Sequence, residues 1–524
     1  MQQGGPRAMI AGATRRDLLM GTAGLAGLAV LGGCGTGSDD PATREMLLAE
    51  TAHPTKREPT SAGKFYALMG IAETLVDVDA AGAPRPALAA GWTTSADGLE
   101  WRFDLRPAAR FHDGSPVTAQ AAAQALRRAQ ARPGVMGVLP VEEIAADGAQ
   151  LVLRLSAPST LVLPVLAQDS TIILAPASFD ASDQAVAVIG SGPYRIANAT
   201  QQEVAVERWE HWDGARPSIA RARYLSAARP ETRALLAESG DADAVYDLDW
   251  PSERRLRDNP ELTVMDISSP RTTLLKVNAS HPFLSDVRAR TALSLAIDRQ
   301  AIARGLFGNA DRAAGQLLPP FFKDWHQRDL PPLQTDAAQA RTLLAQLGWR
   351  AGADGILVRD GRRFSLTLLS HSARTDQPLI TAALQDQFRR IGVEVNTLLR
   401  SPAEMVSAHE DGTLELAIFA RNHMLLADPA GVMVQDYAPG GAEWGAMGWD
   451  DPAMIADLQT LVSGRDPDQA PALRARIVRT LQSELPVIPI LYNSRTAAFS
   501  KRLGGVTLDP LERSYGLAAM RWTA

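Results

Sequence analysis

Side chains able to do covalent or metal chemistry are few in this chain and stand far apart. Its eight histidines, His53, His112, His211, His281, His326, His371, His409 and His423, never fall at the short spacing by which two or three ligands share one helix or turn. A single cysteine, Cys34, rules out an intramolecular disulfide and every CxxC zinc or redox site. No P-loop GxxxxGK, no HExxH and no GxSxG occurs, and no GxGxxG follows a strand-like run. Nucleotide, zinc-peptidase, hydrolase and dinucleotide chemistries therefore each lack their minimum parts. The expectation is a protein that is not an enzyme and has no resident cofactor. Without a cluster of soft ligands, any metal it handles is expected to arrive inside a chelator.

The segment up to residue 40 reads as an address label rather than as fold. Arg15 and Arg16 precede an apolar stretch from Leu18 to Leu31 that is short and Gly/Ala-rich for a membrane span. The pair is similar to a twin-arginine export signal. Leu31-Gly32-Gly33-Cys34 resembles a bacterial lipobox, in which cleavage leaves the cysteine as the lipidated first residue. Residues 1–34 are thus expected to be a lipoprotein signal and 35–40 a flexible polar tether. The body would be exported, and held by lipid at the outer face of the cytoplasmic membrane or in the periplasm.

Composition narrows what that body is. Of 524 residues, 46% are apolar and 21% charged, which is globular, and the length calls for more than one core. A formal net charge of -6 with both signs interleaved leaves no basic stripe to track phosphates, so nucleic acid is not an expected partner. Trp101, Phe103 and Leu105 alternate with Arg102 and Asp104, the period of a half-buried strand, and Leu151, Leu153 and Leu155 repeat it. Thr118, Asp286 and Asp298 each stand where an N-cap should, before a run with helical periodicity. Strand-like runs recur at Thr273–Asn278 and Val487–Tyr492. Alternating strands and helices predict α/β layers.

An ordered set of segments then resembles a known family. Pro86-Ala87-Leu88-Ala89, Gly91-Trp92, Trp101 to Arg106 and Phe111-His112-Asp113-Gly114-Ser115-Pro116-Val117-Thr118-Ala119 are similar to the signature block of family 5 solute-binding proteins. These are the dipeptide, oligopeptide and nickel receptors of ABC importers. Gly190-Ser191-Gly192-Pro193-Tyr194, Asp286 to Arg290, Ala296-Ile297-Asp298-Arg299, Gly348-Trp349, Arg389-Arg390-Ile391-Gly392 and Pro486-Val487-Ile488-Pro489 continue it in order. The resemblance implies a monomeric α/β protein of two lobes with a hinged cleft and an extra subdomain on the first lobe. Mapped here, lobe I would be residues 41–72, 190–270 and 493–524, the subdomain 73–189 and lobe II 271–492. Its partners would be membrane permease and ATPase subunits, its ligand a small molecule or peptide.

Within that family the chain is closer to the nickel-type branch, which includes receptors for metallophores; Glu238 to Tyr246 and His409-Glu410-Asp411-Gly412 carry the likeness. Arg421, Asn422 and His423 sit where that branch lines its cleft, and a planar guanidinium suits a carboxylate-rich chelate. Two departures follow: Gln168-Asp169-Ser170-Thr171 has no arginine where the nickel proteins place one, and His423 replaces a tryptophan. Ligand-borne nickel or a similar metal, and a peptide or other amine-bearing molecule, both stay open. Trp444 and Tyr437, in a loop rich in glycine, either stack on ligand or pack the loop. Trp250 and Tyr66 are further aromatic candidates. Asp428, before Pro429, either receives a ligand amine or caps a helix. A membrane-anchored ligand sensor without transport is the competing class.

Overall fold

The computed structural model describes residues 44–51, 57–371, 376–424, 428–439 and 442–523. Arg15, Arg16, Cys34 and the tether lie outside the described residues.

A ten-stranded sheet organises the molecule, in the order Glu394–Arg400, Ser365–His371, Leu416–Asn422, Leu262–Val277, Val487–Ser500, Ala244–Tyr246, Glu45–Glu50, Arg221–Ser226, Glu203–Arg208, Tyr194–Ala199. Parallel pairs occur on both sides of the centre: Glu45–Glu50 with its two neighbours, and Ser365–His371 with its own two. The two long central strands run antiparallel and serve both halves. Residues Leu262–Ser268 pair with Ser500–Ser494 in one half, and Thr272–Lys276 with Tyr492–Val487 in the other.

Between these two stretches the register slips, so that Ser269, Pro270 and Arg271 face Asn493 alone. Proline has no N–H to give to a ladder, which fits a bulge and not a regular pair. Asn493 staples the slip from its side. Its carbonyl accepts from Ser269 Oγ at 3.3 Å, and its side-chain oxygen accepts from Thr273 Oγ1 at 3.0 Å.

A separate antiparallel sheet, Ala89–Thr94, Glu100–Leu105, Gln150–Leu155 and Val141–Asp147, is covered by helix Ala119–Gln130. Phe103 is wholly buried there, with Trp101 and Leu105 half-buried beside it, as the alternation predicts. Thr118 caps the helix by accepting from Ala121 N at 3.2 Å, and Asp286 and Asp298 cap theirs in the same way. The apolar core of this small sheet continues into helices Pro429–Asp436, Pro452–Ser463 and Ala470–Glu484 of the far half. Thr160 N donates to Val462 O at 2.8 Å across that junction.

The Gly190-Ser191-Gly192 turn is a splice. Gly192 N donates to Ile71 O and Tyr194 N to Gly70 O, both at 3.0 Å. Those contacts bring the backbones so close that a methyl group at position 190 or 192 would overlap the opposite carbonyl. His112 closes the splice from the other side, its N–H donating to Gly190 O at 2.8 Å and its Nε2 lying 3.0 Å from Gly192 O. Burial pushes the imidazole down to about 4, which keeps it neutral. Gly192→Ala should therefore lose about 2 kcal/mol or more, read as a lower urea midpoint at unchanged slope, because rigid backbone cannot yield to the added carbon.

Candidate functional site

A partly open cavity, about 470 Å³ when the open solvent at its mouth is counted, lies where the two halves of the large sheet and the small-sheet region meet. Five separate pieces of chain wall it, one of them Val78 at the end of strand Val76–Val78. Lys64 comes from helix Pro59–Leu68, and Pro164, Ala167, Gln168 and Asp169 come from the turn after the small sheet. Asn422 and Met424 come from the end of strand Leu416–Asn422, and Leu511, Glu512 and Arg513 from the C-terminal segment.

The C-terminal wall is built by one aspartate. Asp509 accepts from Leu511 N at 2.9 Å, Arg513 N at 3.0 Å and Ser514 N at 3.1 Å through its carboxylate, and from Glu512 N at 3.1 Å through its carbonyl. This turn holds Glu512 at φ 56, a left-handed conformation that costs a non-glycine residue energy and persists only when its surroundings fix it. Arg271, beside the hinge bulge, supplies that fixing: its Nε lies 2.7 Å from Glu512 Oε1 in a two-pronged pair. Lys64 Nζ adds a third contact at 3.1 Å. Burial alone would raise the Glu512 carboxyl, but the charges of Arg271, Lys64 and Arg495 outweigh it and hold the group well below the usual carboxylate range.

Across the cavity, Asp169 accepts from Gln168 Nε2 at 2.7 Å. Burial pushes its carboxyl up, opposed first by Lys64 and then by these hydrogen bonds. Arg513 donates to Asp77 and, at 2.6 Å, to Val78 O. Asn422 presents its amide to the cavity while its Oδ1 accepts from Met424 N at 2.9 Å. Its partner in the strand ladder is Arg271.

Of the eight residues singled out from sequence, Asn422 lines this cavity among the described residues, and the others stand elsewhere. Arg421, the next residue on the strand, points to the opposite face. Its fork is engaged by Asp436, Nε to Oδ2 at 2.7 Å and Nη2 to Oδ1 at 2.6 Å, with both groups buried. Lys276 lies by the same pair, pushed down to about 7 by burial, and donates to Ala442 O at 2.6 Å and Glu443 O at 2.9 Å. His423 is 2% exposed, edge-on to Phe322 with ring centres 6.4 Å apart. Burial, then the charges of Arg421 and Arg271, push it down to about 3, so it stays neutral.

Tyr437 is buried against Trp449, and Trp444 meets Phe419 edge-on at 5.8 Å. Both therefore have the loop-packing contacts that sequence left as one alternative. Asp428 accepts from Ala430 N at 2.7 Å and so caps helix Pro429–Asp436. Trp250 begins helix Trp250–Arg257 with its ring against Gly308, and Tyr66 is buried beside Phe65. Lys64 and Glu512, 448 positions apart, carry no sequence signal that pairs them. In the sequence, Gln168-Asp169 stands out only for lacking an arginine.

Among the described residues no group of three or more His, Cys, Asp or Glu side chains is placed to hold a metal ion, and no helix is long and apolar enough to cross a membrane.

Two lobes sharing one sheet, joined by two strands and enclosing a polar pocket, define a protein that holds a ligand between hinged halves. Residues 83–444 match the model of bacterial extracellular solute-binding proteins, family 5. The chain belongs to that family. The nickel-binding periplasmic protein of Escherichia coli strain K12 is 25% identical over 470 residues, 86% of this chain and 88% of the relative. The NikA structure from Staphylococcus aureus in complex with Ni(L-His)2 superposes with a TM-score of 0.79 at 17% identity, covering 92% of this chain and 100% of that one. The oligopeptide-binding protein AppA from Bacillus subtilis, in complex with a nonapeptide, gives 0.80 at 18%, covering 92% and 99%. These relatives and neighbours are substrate-binding proteins and not enzymes.

The Arg421–Asp436 pair has a measurable signature. Arg421→Met leaves Asp436 buried without its partner and should cost about 3 kcal/mol of unfolding free energy, whereas Arg421→Met combined with Asp436→Leu should recover most of that loss. Denaturant titration of the two variants checks both halves.

Proposed function

We propose that this chain is the ligand-capturing component of an ABC import system and that it binds a small metal chelate in the cavity walled by Lys64, Asp169, Asn422 and Glu512. The observation that carries this reading is the cavity itself. It lies between the lobes, takes residues from both, and has charged or amide groups on every wall and apolar filling from Val78, Pro164 and Leu511. The similarity to a nickel-binding periplasmic protein supports a chelate such as a nickel complex. With no protein cluster able to hold a bare ion among the described residues, the ligand would bring its own donors. A short peptide is the second reading, supported by the fold shared with a nonapeptide complex.

The rest of the proposal follows from the first residues. Arg15 and Arg16 direct export, Cys34 carries lipid, and a monomeric body delivers its ligand to a permease driven by ATPase subunits. Presentation to a sensor is the alternative destination.

Native mass spectrometry of protein purified gently from its host tests the capture. A non-covalent mass with a nickel, cobalt, zinc or copper isotope envelope is expected, and Asn422→Ala should lower its occupancy about tenfold. A metal-free mass matching a short peptide would replace the chelate by the second reading. No retained molecule in any preparation would contradict capture.

A further inference from the structure

The charges on the cavity wall are not equally committed. Arg271 is half-buried, its side chain 23% exposed, and holds Glu512 with two prongs from the hinge strand. Arg513 is tied to Asp77 and to the Val78 carbonyl. Lys64 is different: its side chain is 48% exposed and it makes one contact, at 3.1 Å, with Glu512 Oε2. A solvent-exposed single contact of this kind is worth little, and a flexible four-carbon stem lets the ammonium leave at small cost. Yet two wall carboxylates, Glu512 and Asp169, both feel that one lysine. Glu512 keeps its two-pronged Arg271 partner independently of Lys64, and the Asp509 turn keeps it aimed at the cavity.

Resting on the capture reading, we propose that Glu512 is the specificity-determining residue for a ligand bearing a free protonated amine, which displaces Lys64 and sits between Glu512 and Asp169. Lys64 is then a built-in competitor, holding the anionic wall in a solvated ion pair until a better-fitting cation arrives. The Arg271 pair is the positioning element, because it fixes the carboxylate and ties its orientation to the hinge strand. Asp428, the carboxylate that sequence offered for an amine, already caps a helix and is not on this wall.

The test is isothermal titration of the full folded chain with defined probes: L-histidine and trialanine, each with a free amine and as its N-acetyl derivative, and nickel(II) citrate as an amine-free chelate. At least one free-amine probe should bind, with its N-acetyl form at least tenfold weaker. Glu512→Gln should weaken the free-amine probe by about tenfold or more. Lys64→Met should tighten it about threefold, an effect in the opposite direction that a merely destabilised fold would not produce. Equal binding of the acetylated form, unaltered binding by Glu512→Gln, or binding confined to nickel citrate would overturn the amine assignment while leaving capture intact. If a host molecule is retained in native mass spectra but no amine probe binds, the assignment alone falls. If nothing binds in either experiment, capture falls and takes this inference with it.

Discussion

Two antiparallel strands, Leu262–Val277 and Val487–Ser500, carry the whole architecture, because they are the strands of the large sheet that belong to both of its halves. A strand ladder resists shear and accepts bending only where its hydrogen bonds are interrupted. The longer of its two interruptions is at Ser269-Pro270-Arg271 opposite Asn493, between the stretches that serve the two halves, and a second falls between Thr273 and Leu274. The cavity lies beside this point. Arg271, the last residue of the slip, reaches Glu512 on one side and is in register with Asn422 on the other, so the hinge and two walls of the cavity share one residue. The slip and the cavity wall are thereby one connected structure.

The same economy governs the buried charges. Arg233 is 2% exposed and donates to the carbonyls of Tyr246 and Ala228 at 2.8 Å and 3.1 Å, and to those of Ala227 and Asp247. Arg299 does likewise with Pro489 O at 2.8 Å and Ser294 O at 3.0 Å. A planar fork with five donors suits strand and helix ends, where carbonyls lack partners, and these arginines act as fasteners between elements. Arg421 with Asp436 follows the same rule with a side-chain acceptor. What remains at the cavity is a short set of charges, and its chemistry depends on which of them are tied down.

This explains what sequence disclosed and what it did not. The half-buried strand through Phe103 and the caps Thr118, Asp286 and Asp298 were legible because period and capping are local properties of the chain. The family-wide order of motifs was legible for the same reason, and most of those motifs, such as His112 with Gly190 and Gly192, turn out to be joints of the scaffold. The pocket was not legible. Arg421 was picked for the chemistry of its fork, but the carboxylate that occupies that fork lies fifteen residues on, across a helix. Alternation along the strand sends Asn422 to the cavity and Arg421 away from it, and which face is which depends on the packing of the other half. Lys64, Asp169 and Glu512 meet only because distant segments fold together, and a sequence read along its length cannot see that.

The central claim is that ligand is held in this cavity, by the pieces of chain that wall it beside the hinge. Hydrogen exchange of the protein with its retained host molecule, compared with the same protein after that molecule is removed by mild unfolding and refolding, tests it most directly. Protection on binding should appear at the segments around Lys64, Gln168-Asp169, Asn422 to Met424 and Leu511 to Arg513, with slower exchange at the Ser269–Arg271 slip. Protection confined to other surfaces, with these segments unchanged, would contradict the account.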